Sequence, residues 1–259
     1  DNSMSQLQAK PVDLALYINA LTFLVAALTI ARLRIPKQAI DERVREQSLV
    51  RTIVDGWRFV GTTPLVRGVV VGMLGAFAAA GFVIGLAVSF VRDLGAGQPG
   101  FGVLFGAVFV GLAVGMWSGP RLLRGFSRRR LFGLAIVVAG VFLVALALVP
   151  NIVMATIFTL GLGAGGGIAW VTGYTLLGLE VYDEVRGLTF AFLQSAARVV
   201  LVLVLGAGPA LAAVIGPHTF RFTDHFALDY NGAAFVFLLA GLIAVGVGVL
   251  AYRQMDDRR

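Results

Sequence analysis

Seven apolar runs, each about twenty residues or longer and free of Asp or Glu in their interiors, restrict this chain to one fold class. A helix crosses the hydrocarbon core of a bilayer in about 20 residues. Inside lipid no water satisfies backbone N–H and C=O groups, so such runs must be helical. The runs are Val12–Leu33, Gly68–Val91, Phe101–Pro120, Leu131–Val149, Ile152–Leu179, Leu188–Ile215 and Gly232–Tyr252. The expected fold is therefore all-α, a polytopic membrane helical bundle with the lipid bilayer as its first partner. Composition agrees: 58% of the residues are hydrophobic and 14% charged, more apolar surface than a soluble core from 259 residues can hide.

The connections between runs alternate sides, and their charges set the orientation. Of the 21 Lys and Arg, only Lys10, Arg92 and Arg221 fall on one side, and Arg198 lies within a span. All the others, including Arg34–Arg67, Arg121–Arg130, Arg186 and Arg253–Arg259, fall on the opposite side. Positive loops stay cytoplasmic, which places the N-terminus outside and the C-terminus inside, in the plasma membrane. The +7 net charge is thus divided among membrane loops, not gathered into a stripe that fits nucleic acid. The opening DNSMSQLQAKPVD lacks the basic flank and short apolar core of a signal peptide. An outside N-terminus followed at once by a span reads as a cut within a longer chain.

Several functions fall away. The chain has no cysteine, so thiolate chemistry, disulfides and Cys-based zinc sites are excluded. Gly232–Tyr252 has no lysine for a retinal Schiff base, and a receptor of the common kind ties its outer loops with a disulfide. Gly161-Leu-Gly163-Ala-Gly165-Gly166 satisfies the dinucleotide fingerprint, but that motif needs a preceding strand and a βαβ unit in water, whereas this copy lies within an apolar run. It reads instead as a tightly packed, bendable helix. No P-loop and no nucleophile with its base are present, so the chain is expected to be non-enzymatic and to need no cofactor. His218 and His225, with Asp224 and Asp229, share one outer loop; their spacing favours a structured polar loop, and no metal site is expected.

Three stretches resemble one family. ARLRIP, then an amphipathic segment with Leu49, Val50, Ile53, Val54 and Trp57, then TPLVR, resembles the helix 6 to helix 7 connection of major facilitator exporters, nearest the siderophore and macrolide exporters. On pattern alone that segment fits a membrane-surface helix and a packed interdomain linker equally. Gly111, Gly115 and Gly119, followed by RLLRGFSRRR with Arg128, Arg129 and Arg130, resembles the loop motif between helices 8 and 9. The carboxylate usual there is missing, with Leu123 and Arg124 in its place. Glu180, Asp183 and Glu184, followed by Arg186 and Gly187, resemble the acidic-then-RG turn before helix 11. The longer stretch 178–209 is also similar to the membrane domain fused ahead of thymidylate kinase in actinobacteria.

The resemblance implies helix 6 of a first half with its outer stub at 1–33, and a cytoplasmic interdomain loop at 34–67. A six-helix C-terminal transporter bundle at 68–252 and a cytoplasmic tail at 253–259 complete it. The missing N-terminal half and an unknown small-molecule substrate are then the implied partners. Two functions follow: half of a secondary transporter, an exporter of small molecules, or a transport-inactive anchor for a cytosolic enzyme such as thymidylate kinase.

Four residues are candidates for a substrate cavity. Arg198 lies about 16 Å along its helix, close to mid-membrane, where a charge costs from about 2.5 kcal/mol upward and needs a cavity or partner. Either a substrate contact or a hydrogen bond to carbonyls of the glycine-rich helix accounts for it. Gln194, one turn earlier, shares its face and is placed to hold it. Trp170 and Tyr174, one turn apart, fit both a substrate path and interfacial packing. Gly111, Gly115, Gly119, Arg128, Arg129, Arg130, Asp183 and Arg186 are the loop and gating candidates. With no acid inside any span, proton coupling has to come from elsewhere in the protein.

Overall fold

The computed structural model describes residues 11–33, 58, 60–122, 125, 127–216, 218–223, 226–230 and 232–254. Outside these lie most of the amphipathic segment, including Leu49, Ile53 and Trp57, and the Leu123–Arg124 region of the loop motif. The chain forms two compact units, Asp1–Gln47 and Ser48–Arg259. The first contains helix α1, Pro11–Arg32.

The second unit is a bundle of α2 (Pro64–Asp93), α3 (Gly97–Leu122), α4 (Arg128–Ala147), α5 (Ile152–Glu180), α6 (Asp183–Ile215) and α7 (Gly232–Gln254). These six are long and apolar enough to cross a membrane, whereas the apolar part of α1 is the shorter stretch Leu16–Arg32. The chain is thus a multi-pass membrane protein.

Local chemistry sets the helix ends. Thr63 is extended and Pro64 takes the first turn of α2, where its missing N–H is not needed. Gly95 and Gly97 have positive φ, 69° and 58°, which only glycine adopts without strain, and they turn the chain into α3. The Asn151 side chain accepts from Met154 N at 2.9 Å and caps α5. Inside the bundle the hydroxyls of Thr159, Thr172 and Thr189 donate to the carbonyls of Ala155, Ile168 and Val185, which removes their cost in an apolar setting.

Between α6 and α7 lie two paired strands, β1 (His218–Thr223) antiparallel to β2 (Phe226–Tyr230), with His218 opposite Tyr230 and a register shift between Arg221 and Thr223. The described part of the segment with the two histidines is thus strand, an addition to the all-helical expectation. The side chains of His218 and Asp229, and all of Asp224 and His225, lie outside the described residues.

The closest helix pairs are α3 with α5 and α4 with α7, and neither pair is adjacent in sequence. Further contacts join α4 to α5, and α2 to both α6 and α7. Exchanging the triplet α2–α3–α4 with α5–α6–α7 maps α3–α5 onto α2–α6, α4–α5 onto α2–α7 and α4–α7 onto itself, the relation expected of nested three-helix repeats. Two buried clusters result. One gathers Val69, Met73, Phe132, Ile136, Leu177 and Leu193; the other gathers Leu86, Phe90, Leu143, Leu146, Val236 and Phe237.

Glycines set both close pairs. A Cβ on Gly111 would strike Leu160 O, on Gly115 it would strike Ala164 O, and on Gly119 it would come within 2.8 Å of Ile168 Cγ1. Reciprocally, Gly163 abuts Val108 O and Gly167 abuts Leu112 O. The GxxxGxxxG run and the glycine-rich helix are two sides of one parallel seam, the close backbone approach that such spacing signals. A second, antiparallel seam pairs Gly133 with Tyr252 N (2.7 Å from a Cβ there) and Gly140 with Gly241 O (2.9 Å).

Candidate functional site

Aromatic side chains from three helices meet on one side of the bundle. Phe77 of α2 packs edge-on against Trp170 of α5, with ring centroids 5.4 Å apart and planes at 72°. Trp170 lies 5.2 Å from Tyr174 on the same helix, and Tyr174 stacks on Phe190 of α6 at 5.8 Å. Such edge-on and offset contacts are the favoured aromatic geometries. The row bridges α5 and α6, which otherwise touch little.

Gln194 adds the polar element. Its Nε2 donates to the Tyr174 hydroxyl at 2.9 Å. The amide therefore faces the tyrosine and is not spent on Arg198, which corrects the expectation that Gln194 holds the arginine. Arg198, one turn further along α6, is exposed, and among the described residues it has no hydrogen-bond or ion-pair partner. The alternative bond to carbonyls of the glycine-rich helix is accordingly not formed. Trp170 is 41% exposed, so the aromatic row is a surface of the bundle and not part of its core.

The basic cluster sits at the other candidate site. Arg129 Nη2 donates to Glu180 Oε1 at 2.7 Å, which ties the start of α4 to the end of α5. A cation at a helix N-terminus and an anion at a C-terminus both oppose the helix dipole. Pairing Arg129 with Glu180 relieves both conflicts at once. Arg186 Nη2 donates to Val181 O at 3.3 Å across the α5–α6 turn. Arg128 is exposed, Arg130 partly buried, and the side chain of Asp183 lies outside the described residues.

The structure thus brings Trp170, Tyr174 and Gln194 into one contact chain and places Arg198 beside it. Gly111, Gly115 and Gly119 belong to packing. Sequence reasoning missed Phe77 and Phe190, and it set Glu180 in the acidic-then-RG turn without its partner Arg129. The signal for Glu180 was present: it closes an apolar run on the side that carries the arginines.

No curated protein matches the chain significantly. A family profile described as transmembrane secretion effector matches residues 10–257, nearly the whole length. The chain belongs to that family, of the major facilitator type.

Proposed function

We propose that this member of the transmembrane secretion effector family is one half of a secondary transporter that exports small molecules across the plasma membrane. In this reading the six-helix unit α2–α7 rocks against a second bundle. The face bearing Trp170, Tyr174, Gln194 and Arg198 lines the path between them, and the side of Arg129 and Glu180 is cytoplasmic.

The observation that carries the reading is Arg198. An exposed, unpartnered guanidinium near mid-span is costly against lipid and inexpensive against a water-filled path. Its neighbour Gln194, already bonded to Tyr174, gives that path a fixed polar edge. The long α6 supports the same view, because Val199, Val202 and Leu203 on its surface are 59–70% exposed and leave room for a second bundle.

The test is efflux by cells carrying the full-length protein. Arg198→Ala abolishes export while membrane abundance stays the same. Loss of abundance in step with export marks Arg198 as structural and overturns the reading.

One observation favours the second reading, a transport-inactive anchor for a cytosolic enzyme such as thymidylate kinase. No Asp or Glu lies in the interior of the spans, and the loop motif has Leu123 and Arg124 where a carboxylate is usual. In that case deleting the spans moves kinase activity to the cytosol with its turnover unchanged. Membrane association that survives the deletion removes the anchor.

A further inference from the structure

Glycine inside a helix costs about 1 kcal/mol relative to alanine, and α5 carries Gly161, Gly163, Gly165, Gly166 and Gly167 within seven residues. Packing accounts for four of them. A Cβ on Gly161 would come within 2.5 Å of the Phe142 ring, one on Gly163 or Gly167 would strike α3 backbone, and one on Gly165 would come within 2.9 Å of Ala139 N and 3.0 Å of Ala135 O. Gly166 is different: a Cβ there would have nothing within 4 Å. It lines a cavity instead.

That cavity has a volume of about 220 Å³ and lies among α2, α3 and α5, with Ala76, Ala80, Phe105, Phe109, Gly166 and Ala169 on its wall. Ile136 from one buried cluster and Leu143 from the other also line it, so it separates the two halves of the core. The wall contains no charged residue and no side-chain donor or acceptor. Water needs two or more polar partners to occupy such a space, so the site favours an apolar guest.

We infer that this cavity receives an aryl group of the transported molecule, an inference that rests on the transport reading above. Size is the first argument: an apolar cavity of about 150 Å³ already admits benzene, so this one holds a ring bearing a small substituent. The second argument is the border. Phe77 directly follows the wall residue Ala76, and Trp170 directly follows Ala169, so the edge-on Phe77–Trp170 pair stands beside the cavity. Phe105 and Phe109 supply two more rings on the opposite side, themselves 5.4 Å apart and edge-on. The third is entropy. A rigid ring loses little freedom on entry, whereas a flexible acyl chain loses rotamers along its length. Small residues on α2 and α5 thus create the space, and aromatic residues fit it to a ring.

The test uses the full chain in phosphatidylcholine nanodiscs, with Trp57→Phe and Trp117→Phe leaving Trp170 as the sole indole. Bromobenzene, a contact quencher, is titrated. A saturable quenching component is expected, weakened about tenfold or more by Gly166→Leu and, from a second helix, by Ala80→Leu, with helical content unchanged in both. A Cβ at 166 meets nothing within 4 Å, and the unchanged helical content reports the fold of the leucine variant directly. Quenching that rises linearly and equally in all three proteins means that the probe only partitions into the bilayer, and it overturns the inference. Quenching by dibrominated phosphatidylcholine that Gly166→Leu removes assigns the cavity to a lipid chain and likewise overturns it. Efflux is scored separately: saturable binding without export removes the transport reading and keeps the cavity as an aryl site, whereas export that is indifferent to Gly166→Leu removes the cavity from the path and keeps transport.

Discussion

The Gln194 amide donates to the Tyr174 hydroxyl at 2.9 Å, a side-chain hydrogen bond between α5 and α6. With the Tyr174–Phe190 stack it joins two helices that touch little elsewhere. Removing either partner breaks the bond between the helices and leaves the other polar group to water. Tyr174→Phe and Gln194→Leu each lower stability in detergent by about 1 kcal/mol, and the double variant costs less than the sum. Additive losses in a double-mutant cycle show that the bond contributes nothing.

The α3–α5 seam predicts opposite outcomes for neighbouring glycines. Gly115→Leu and Gly163→Leu force two backbones apart and lower stability by about 3 kcal/mol or more, seen as loss of monodisperse protein on extraction. Gly166→Ala meets open space and stabilises by up to about 1 kcal/mol. Equal behaviour at 163 and 166 contradicts the seam.

Much of this fold was legible because lipid leaves few options. Apolar runs of sufficient length have to be helices, and the six helices of the bundle fall where those runs do. The Gly111–Gly115–Gly119 spacing announced a close helix approach, and Gly163 and Gly167 supply its other side. The Gly133–Gly140 and Gly241–Gly248 seam was harder to see: its spacing of seven is diluted by Val137 and Val245, and its partners are far apart in sequence. The aromatic row was half visible. Trp170 and Tyr174 share one helix and one turn, whereas Phe77 and Phe190 join them only through tertiary packing, which local pattern does not encode. Gln194 was paired with Arg198 for the same reason: i, i+4 spacing brings the two near, whereas the Tyr174 hydroxyl that accepts from its Nε2 belongs to the neighbouring helix.

The Arg129–Glu180 pair sets a third prediction. Glu180→Gln and Arg129→Gln each reduce thermal stability by about 1 kcal/mol, because each leaves the other charge at a helix end that disfavours it. The exchange Arg129→Glu with Glu180→Arg puts each charge at the favoured end and recovers at least the stability of the parent. A double variant weaker than both singles contradicts the dipole argument.

These 259 residues contain no cysteine, so once any cysteine elsewhere in the full-length protein is replaced by serine, the most direct measurement is free of background. Single cysteines are placed at Arg198, at Gln194 and at Leu250, a residue of α7 that is 55% exposed on the bundle surface, and the full-length protein in its own membrane is treated with a membrane-impermeant maleimide. Water in a path along Trp170, Tyr174, Gln194 and Arg198 predicts that Arg198→Cys and Gln194→Cys react and Leu250→Cys, facing lipid, does not. If Arg198→Cys is as inert as Leu250→Cys, that face meets lipid and the transport account is contradicted.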